Sequence, residues 1–281
     1  MEKHKEHKGK SRKWLWILGA IFLVFILAAS YIYINFFMPS PLASLVIEQG
    51  NVQYMMEGND WKPASNGMTL KQGYSIKTLA DSRANIIFSY SVMRLDSNSE
   101  VSLDELAKES ISMTQSMGST WSRLLKISGI KSYEVSTPEA IASVRGTGFA
   151  VYYDGKTMEL KVSEGTVNFG SEENSKDVPA DKQAEVGEDG TMKVEDLQSD
   201  DWIAKNLQLD EQHKQEVKQH ILKKYGYLIN VAKSQYGISD EKLDQLFDEW
   251  YSGKISVKQK IESGEIPSEF ASMIPEEFKR Y

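Results

Sequence analysis

Cysteine is absent from the 281-residue chain, which excludes disulfide bridges, thiolate metal sites and cysteine nucleophiles. Histidine is scarce: His4 and His7 lie near the N-terminus, His213 and His220 lie late in the chain, and none falls between residues 44 and 196. That interval therefore holds neither a Ser-His-Asp triad nor a His-ligated zinc. There is no glycine-rich phosphate loop, because Gly146-Thr147-Gly148 is too short and lies between strand-like runs. Positive charge is missing where a nucleic-acid partner would need it. Residues 1–13 carry six Lys or Arg and two Glu, a net of +4 in a chain of −7 overall, so the remainder stands at −11.

Charge of either sign is also missing from Trp14 to Ile34, a run of 21 residues. As a helix this run is about 31 Å long, close to the roughly 30 Å hydrocarbon core of a bilayer. Trp14 and Trp16 sit at one end and Tyr31 and Tyr33 at the other, as an aromatic belt requires. Lys3, Lys5, Lys8, Lys10, Arg12 and Lys13 precede the run, and no Lys or Arg follows until Lys62. The positive-inside rule predicts a basic cytoplasmic tail at 1–13, a membrane helix at 14–34, a Pro-containing linker at 35–43, and everything later outside the cell membrane. A cleaved signal peptide ending at Ala28-Ala29-Ser30 is the competing reading. The apolar run outlasts the 7–15 residues of a signal, which favours an uncleaved single-pass anchor.

From 44 to 196 short β-like runs recur between Gly, Asn, Asp and Ser, among them Tyr74–Leu79, Ala84–Phe88, Glu100–Leu103, Ser110–Met113, Tyr133–Val135 and Thr191–Val194. Such spacing predicts a mainly β domain, an extracytoplasmic antiparallel β-sandwich, rather than alternating β and α units. Its centre is the stretch 136–153. Pro138 suits a strand start, Arg145-Gly146-Thr147-Gly148 a sharp corner, and Asp154-Gly155 a hairpin turn between Phe149–Val151 and Met158–Val162. Met158, Leu160 and Val162 alternate with Thr157, Glu159 and Lys161, so one face is buried and one wet. Glu164-Gly165 opens a further turn, and Asp189-Gly190 another.

After 197 the period becomes helical, which predicts a small α-helical subdomain over 197–281. Trp202, Ile203, Leu207, Val217, Ile221, Leu222 and Tyr225 line one side of a helix or two ending near Gly226. Ser239 reads as an N-cap, Leu243, Leu246, Phe247 and Trp250 as one apolar stripe, Gly253 as the stop, and Val257–Ile261 as a last short helix.

The stretch Thr137–Val151 followed by Val162–Phe169 resembles the core of the FecR-type domain, named for a ferric-citrate signalling regulator. Gly50-Asn51-Val52, Trp61, Gly67, Leu70, Gly73, Ile76, the segment Met93–Leu103 and Trp121 fall in the family's order. Tyr74 and Tyr90-Ser91-Val92 depart from it. The resemblance covers roughly half of the chain and implies a jelly-roll-like sandwich. It also marks Val144, Arg145, Gly146, Thr147, Phe149, Glu164, Gly165, Trp61 and Trp121 as family-motif residues, structural or in contact with a partner. Arg145 is read as organising its corner through the five donors of a guanidinium, with a binding contact as the alternative.

Other clusters have ordinary explanations. Asp96-x-Asn98-x-Glu100 lacks the glycine and distal glutamate of a calcium loop and reads as a polar turn. His213 and His220 are surface residues about 10 Å apart along a helix. Asp104 with Glu105, or Glu159 with Glu164, are the carboxylates a glycoside hydrolase would need, but nothing in the sequence fixes their separation.

The function these features favour is a non-enzymatic, membrane-anchored binding, sensing or scaffold module without cofactor or metal. Its partner would be an extracytoplasmic protein or envelope polymer. A transmembrane regulator acting on a sigma factor is the alternative, opposed by a 13-residue tail too short to bury a core. A carboxylate-dependent envelope hydrolase comes third.

Overall fold

In a computed structural model of the protein, residues 43–264 are described apart from 89, 126–127, 145, 172–173, 199 and 253–256. The expected tail, membrane helix and linker lie outside the described residues, as do Arg145 and Gly253. Among the described residues no helix is long and apolar enough to cross a membrane.

The N-terminal part is mainly β, with strands β1 (Ala43–Gln49), β2 (Val52–Met56), β3 (Lys62–Pro63), β4 (Thr69–Leu70), β5 (Tyr74–Thr78), β6 (Arg83–Phe88), β7 (Ser91–Leu95), β8 (Glu100–Leu106) and β9 (Ser110–Arg123). Then come β10 (Ser132–Ser136), β11 (Ile141–Val144), β12 (Gly148–Tyr153), β13 (Met158–Glu164), β14 (Thr166–Gly170), β15 (Ser175–Pro179), β16 (Lys182–Val186) and β17 (Met192–Asp196). Three helices follow: α1 (Asp201–Tyr236), α2 (Asp240–Tyr251) and α3 (Val257–Glu262). Strands and helices belong to one compact unit.

β9 organises the strands. Its first half pairs with β8 and β10, and its second half with β7 and β12. The first sheet runs β4-β1-β6-β7-β9-β12-β13-β16-β17. The second runs β3-β2-β5-β8-β9-β10-β11-β14-β15. β9 is thus the middle strand of both, passing from one to the other as corner strands do. The crossing is at Gly118, whose φ of +90° and close approach to Ser99 (Cβ position 2.5 Å from its Cα) leave no room for a side chain.

The core lies between the two sheets. Phe88 of β6 and Phe149 of β12 both meet the Tyr133 ring of β10 edge-on, at 6.3 and 6.2 Å. Met158, Leu160 and Val162 are buried there, as the alternation predicts. Among the described residues no helical side chain contributes to this core. The Asp154-Gly155 turn is in place, with Asp154 Oδ1 accepting from the Lys156 and Thr157 amides at 2.9 and 2.8 Å.

Several expectations are corrected. The sheets are not wholly antiparallel, because β9 and β10 run parallel. The strand expected at Ser110–Met113 continues to Arg123. The two sheets are two ladders that share β9. Pro138 lies in the β10–β11 turn, which Thr137 closes by donating its amide to the Ala140 carbonyl at 2.9 Å. Gly146 and Thr147 lie between β11 of the second sheet and β12 of the first, which do not pair with each other. Helix α1 does not stop at Gly226; it runs for 36 residues and ends at Gly237 in the left-handed conformation. One interior glycine costs only about 1 kcal/mol, and α2 packs back along α1 through Lys214–Asp248 and Lys218–Asp244 at 2.9 and 2.7 Å. Ser239 does cap α2, accepting from the Lys242 amide at 3.2 Å.

The crossing of β9 yields a test. Gly118→Ala places a side chain at positive φ and against the Ser99 backbone. It is expected to lower stability by about 1–3 kcal/mol through backbone strain alone, read as a drop in the urea midpoint. Gly58→Ala, with open space around it, serves as the control at positive φ without the clash.

Candidate functional site

The strands of the first sheet have a second buried face. In β7, Met93 and Leu95 point into the core while Val92 and Arg94 point outward, yet all are buried. In β12 Phe149, Val151 and Tyr153 face inward and Gly148, Ala150 and Tyr152 outward, all buried except the half-buried Tyr152. A run of apolar character on both faces needs cover on both sides. Helix α1 supplies it.

The register aligns the outward residues across the sheet. Arg94 is opposite Trp121, Trp121 opposite Ala150, and Ala150 opposite Lys161. Against this row α1 presents Asp200, Ile203, Asn206, Asp210, His213, Val217 and Ile221, a stripe at spacings of three and four that defines one helical face.

Contacts form in order along the helix. Asp200 is the N-cap: Oδ1 accepts from the Ile203 amide at 2.8 Å, and Oδ2 accepts from the Tyr152 hydroxyl at 2.9 Å and Lys161 Nζ at 3.1 Å. Ile203 packs on Trp121 and Ala150. Asn206 accepts from Arg94 at 3.4 Å and donates to the Trp202 carbonyl at 2.9 Å. Asp210 then takes Arg94 on Oδ1 at 2.5 Å and the Trp121 indole N–H on Oδ2 at 3.0 Å. Further along, His213 Nε2 meets the Tyr90 carbonyl at 3.1 Å, and Val217 and Ile221 pack with Leu125, Trp250 and Tyr251.

Arg123 extends the charge chain. Its Nε lies 4.0 Å from Asp210 Oδ2, and its outer nitrogen bonds Glu164 at the end of β13. Gly148 makes room for it, since a Cβ there would stand 2.9 Å from that nitrogen. The sequence Arg94–Asp210–Arg123–Glu164 is therefore a continuous alternation of charge, buried at Arg94 and Asp210, partly exposed at Arg123 and half-exposed at Glu164.

Electrostatics follow from this placement. Burial pushes the Asp210 carboxyl up from its ordinary value, opposed by Arg94, Arg123 and the Trp121 N–H. Burial lowers the Arg123 value, but Glu164 and Asp210 outweigh it and hold the guanidinium charged. The Asp200 carboxyl, despite some burial, is held below the usual range by the Ile203 amide, Lys161 and Tyr152. The donors are guanidinium, ammonium, indole and hydroxyl, and the acceptors are carboxylate and amide oxygen. This set fixes geometry by charge pairing.

The sequence-derived residues distribute unevenly. Trp121 and Glu164 belong to this site. Val144 and Phe149 are in the core, while Thr147 is buried at the corner beside Gly146. Gly165 turns at φ +83° against Thr147, whose Cγ2 would be 2.7 Å from an added Cβ. Trp61 stands elsewhere, with Lys77 Nζ 4.6 Å above its ring. Asp96 pairs with Arg83 at 3.0 Å and Glu100 with Lys77 at 2.6 Å, the polar turn expected of them. Glu159 and Glu164 are five positions apart on one strand, about 16 Å, beyond the roughly 5–9.5 Å of glycosidase carboxylates. Arg94 entered the sequence reading only as part of the family-like segment Met93–Leu103, and Arg123, Asn206 and Asp210 did not enter it. The signal was present: an arginine inside the buried run Ser91–Leu95, and polar residues filling gaps in the apolar stripe of α1.

A family model described as FecR protein matches residues 74–168, from β5 into β14. This segment is of the FecR type, and it contains Arg94, Trp121, Arg123 and Glu164. No curated protein matches the chain. Among solved structures, two crystal structures of a candidate anti-sigma factor from Parabacteroides distasonis ATCC 8503 align at 17% identity and a TM-score of 0.39. The alignment covers 44% of this chain and 59% of that one, so it spans under two thirds of the neighbour's length.

Two outcomes test the geometry. Asp210→Ala leaves the buried Arg94 guanidinium without its carboxylate while Arg123 keeps Glu164, and removing one partner of a buried pair costs about 3–5 kcal/mol. It is expected to release α1, seen as a red shift of tryptophan emission that is lost with Trp121→Phe. Because the folded-state value of Asp200 is depressed, its contribution is present above the ordinary carboxylate range and is lost as pH falls through the folded value. Acidification from about pH 5 to pH 2 should therefore loosen the start of α1, followed by amide exchange at Ile203. Asp200→Asn should flatten that part of the titration.

Proposed function

Starting from the FecR-type segment, we propose that the protein is a regulatory or sensing module of the cell envelope. It is anchored by residues 14–34, faces outward, and recognises an extracytoplasmic protein or polymer rather than catalysing a reaction. The match over 74–168 supports the regulatory role. The observation that carries the reading is the docking of α1 on the outer face of that same segment through a paired-charge chain. An event at the β face is thereby felt by the helices, as a sensor needs. The uncharged 21-residue run, its flanking aromatics and the one-sided Lys/Arg distribution support the anchor and its orientation.

The absence of cysteine makes the test clean. Tyr227 is 80% exposed on α1, so Tyr227→Cys introduces a single reactive thiol without disturbing a contact. In intact cells the full chain should sediment with membranes and react with a membrane-impermeant maleimide. Labelling only after lysis, or recovery in the soluble fraction, would refute the anchored, outward reading.

A further inference from the structure

The face under α1 is only partly satisfied by α1. Arg123 Nε, the Trp202 indole N–H and the Tyr251 hydroxyl are buried around this contact without hydrogen-bond partners. Tyr251 is close enough to Arg123 and Asp210 that both influence its titration, and burial raises its value. Buried donors without acceptors cost about 1–3 kcal/mol each. A well-optimised permanent contact would have removed them.

Apolar support for the contact is divided. Trp121, Ala150 and Ile203 form one small cluster, and Leu125, Val217, Ile221, Trp250 and Tyr251 form another. Between them stand Arg94, Asp210 and Arg123. Neither cluster is part of the core between the sheets, which is complete without the helices among the described residues. The charges are also sorted by side. At the contact the sheet offers Arg94, Arg123 and Lys161, the last two also paired with Glu164 and Glu159 of β13, whereas α1 and its cap offer Asp200 and Asp210.

We infer that the outer face of β7, β9, β12 and β13 is an acceptor for an amphipathic helix with carboxylates on its contact face, occupied here by α1 and open to exchange with such a helix of a partner protein. Such a partner places a carboxylate where Asp210 sits and an apolar residue where Ile203 packs on Trp121. A second carboxylate would meet Arg123 Nε, which α1 leaves without an acceptor. The α1–α2 hairpin is then a releasable clasp, and its release is the response. The inference goes beyond the anchored-module reading and stands whether or not the chain is anchored.

The probe is a fluorescently labelled synthetic peptide of residues 200–225, titrated by anisotropy against the full chain and against full-length Asp210→Ala. The vacated face of the variant should bind it at least roughly tenfold more tightly than the wild type does, and affinity should fall with ionic strength. A peptide carrying Asp210→Asn should bind at least roughly tenfold more weakly. Equal binding to both proteins, or binding to neither, overturns the inference.

If the variant does not fold, the wild type alone decides. Amides of 201–221 should exchange through an opening less costly than that of β9 and β12. Excess wild-type peptide, but not the Asn peptide, should accelerate their exchange. Protection of α1 equal to that of β9, unchanged by peptide, overturns it as well.

Discussion

Asp210 between two arginines is the constraint on which the placement of α1 depends. Its carboxylate takes Arg94 and the Trp121 indole directly and faces Arg123 at 4.0 Å. Asp210 is the α1 carboxylate that meets both arginines, which favours one register of the helix. Apolar contacts alone would tolerate a slide by one turn. The charges do not, because a one-turn shift would bring Asn206 or Lys214 to Arg94. Buried ion pairs contribute little net stability against apolar replacements, and their best-attested use is to specify register. The unpartnered donors around this one are in keeping with specification rather than maximal adhesion.

β9 connects that site to the rest of the fold. As the middle strand of both sheets it carries core residues in its first half and Trp121 and Arg123 in its second. Ser122 between them faces inward and bonds the Tyr133 hydroxyl at 2.8 Å. A displacement of the outer face is therefore shared with the interior over one residue. The FecR-type segment thus carries, on the outer face of the first sheet, the polar seam on which α1 lies.

Much of this was legible in the sequence. Period-two alternation in β13, the Asp154-Gly155 turn and the Ser239 cap are local signals that survive folding because neighbours in sequence produce them. The parallel pairing of β9 with β10 and the passage of β9 between sheets are non-local, set by which strands meet. The helix end failed at Gly226 because packing by α2 overrides a weak propensity. The candidate site was half-found: Trp121 and Glu164 came from the resemblance, whereas Arg94 and Asp210 are 116 positions apart and meet only in three dimensions. A polar residue in an apolar stripe looks like a defect until its partner is known.

The most direct test of the central claim is a double-mutant cycle between Arg94 and Asp210, measured by urea unfolding of the full chain. Arg94→Met and Asp210→Leu should each be strongly destabilising, since each strands buried charge. The double variant should recover much of the loss, with a coupling of about 1–3 kcal/mol. Additive effects, with no coupling between the two positions, would contradict the claim that this pair sets the place of α1.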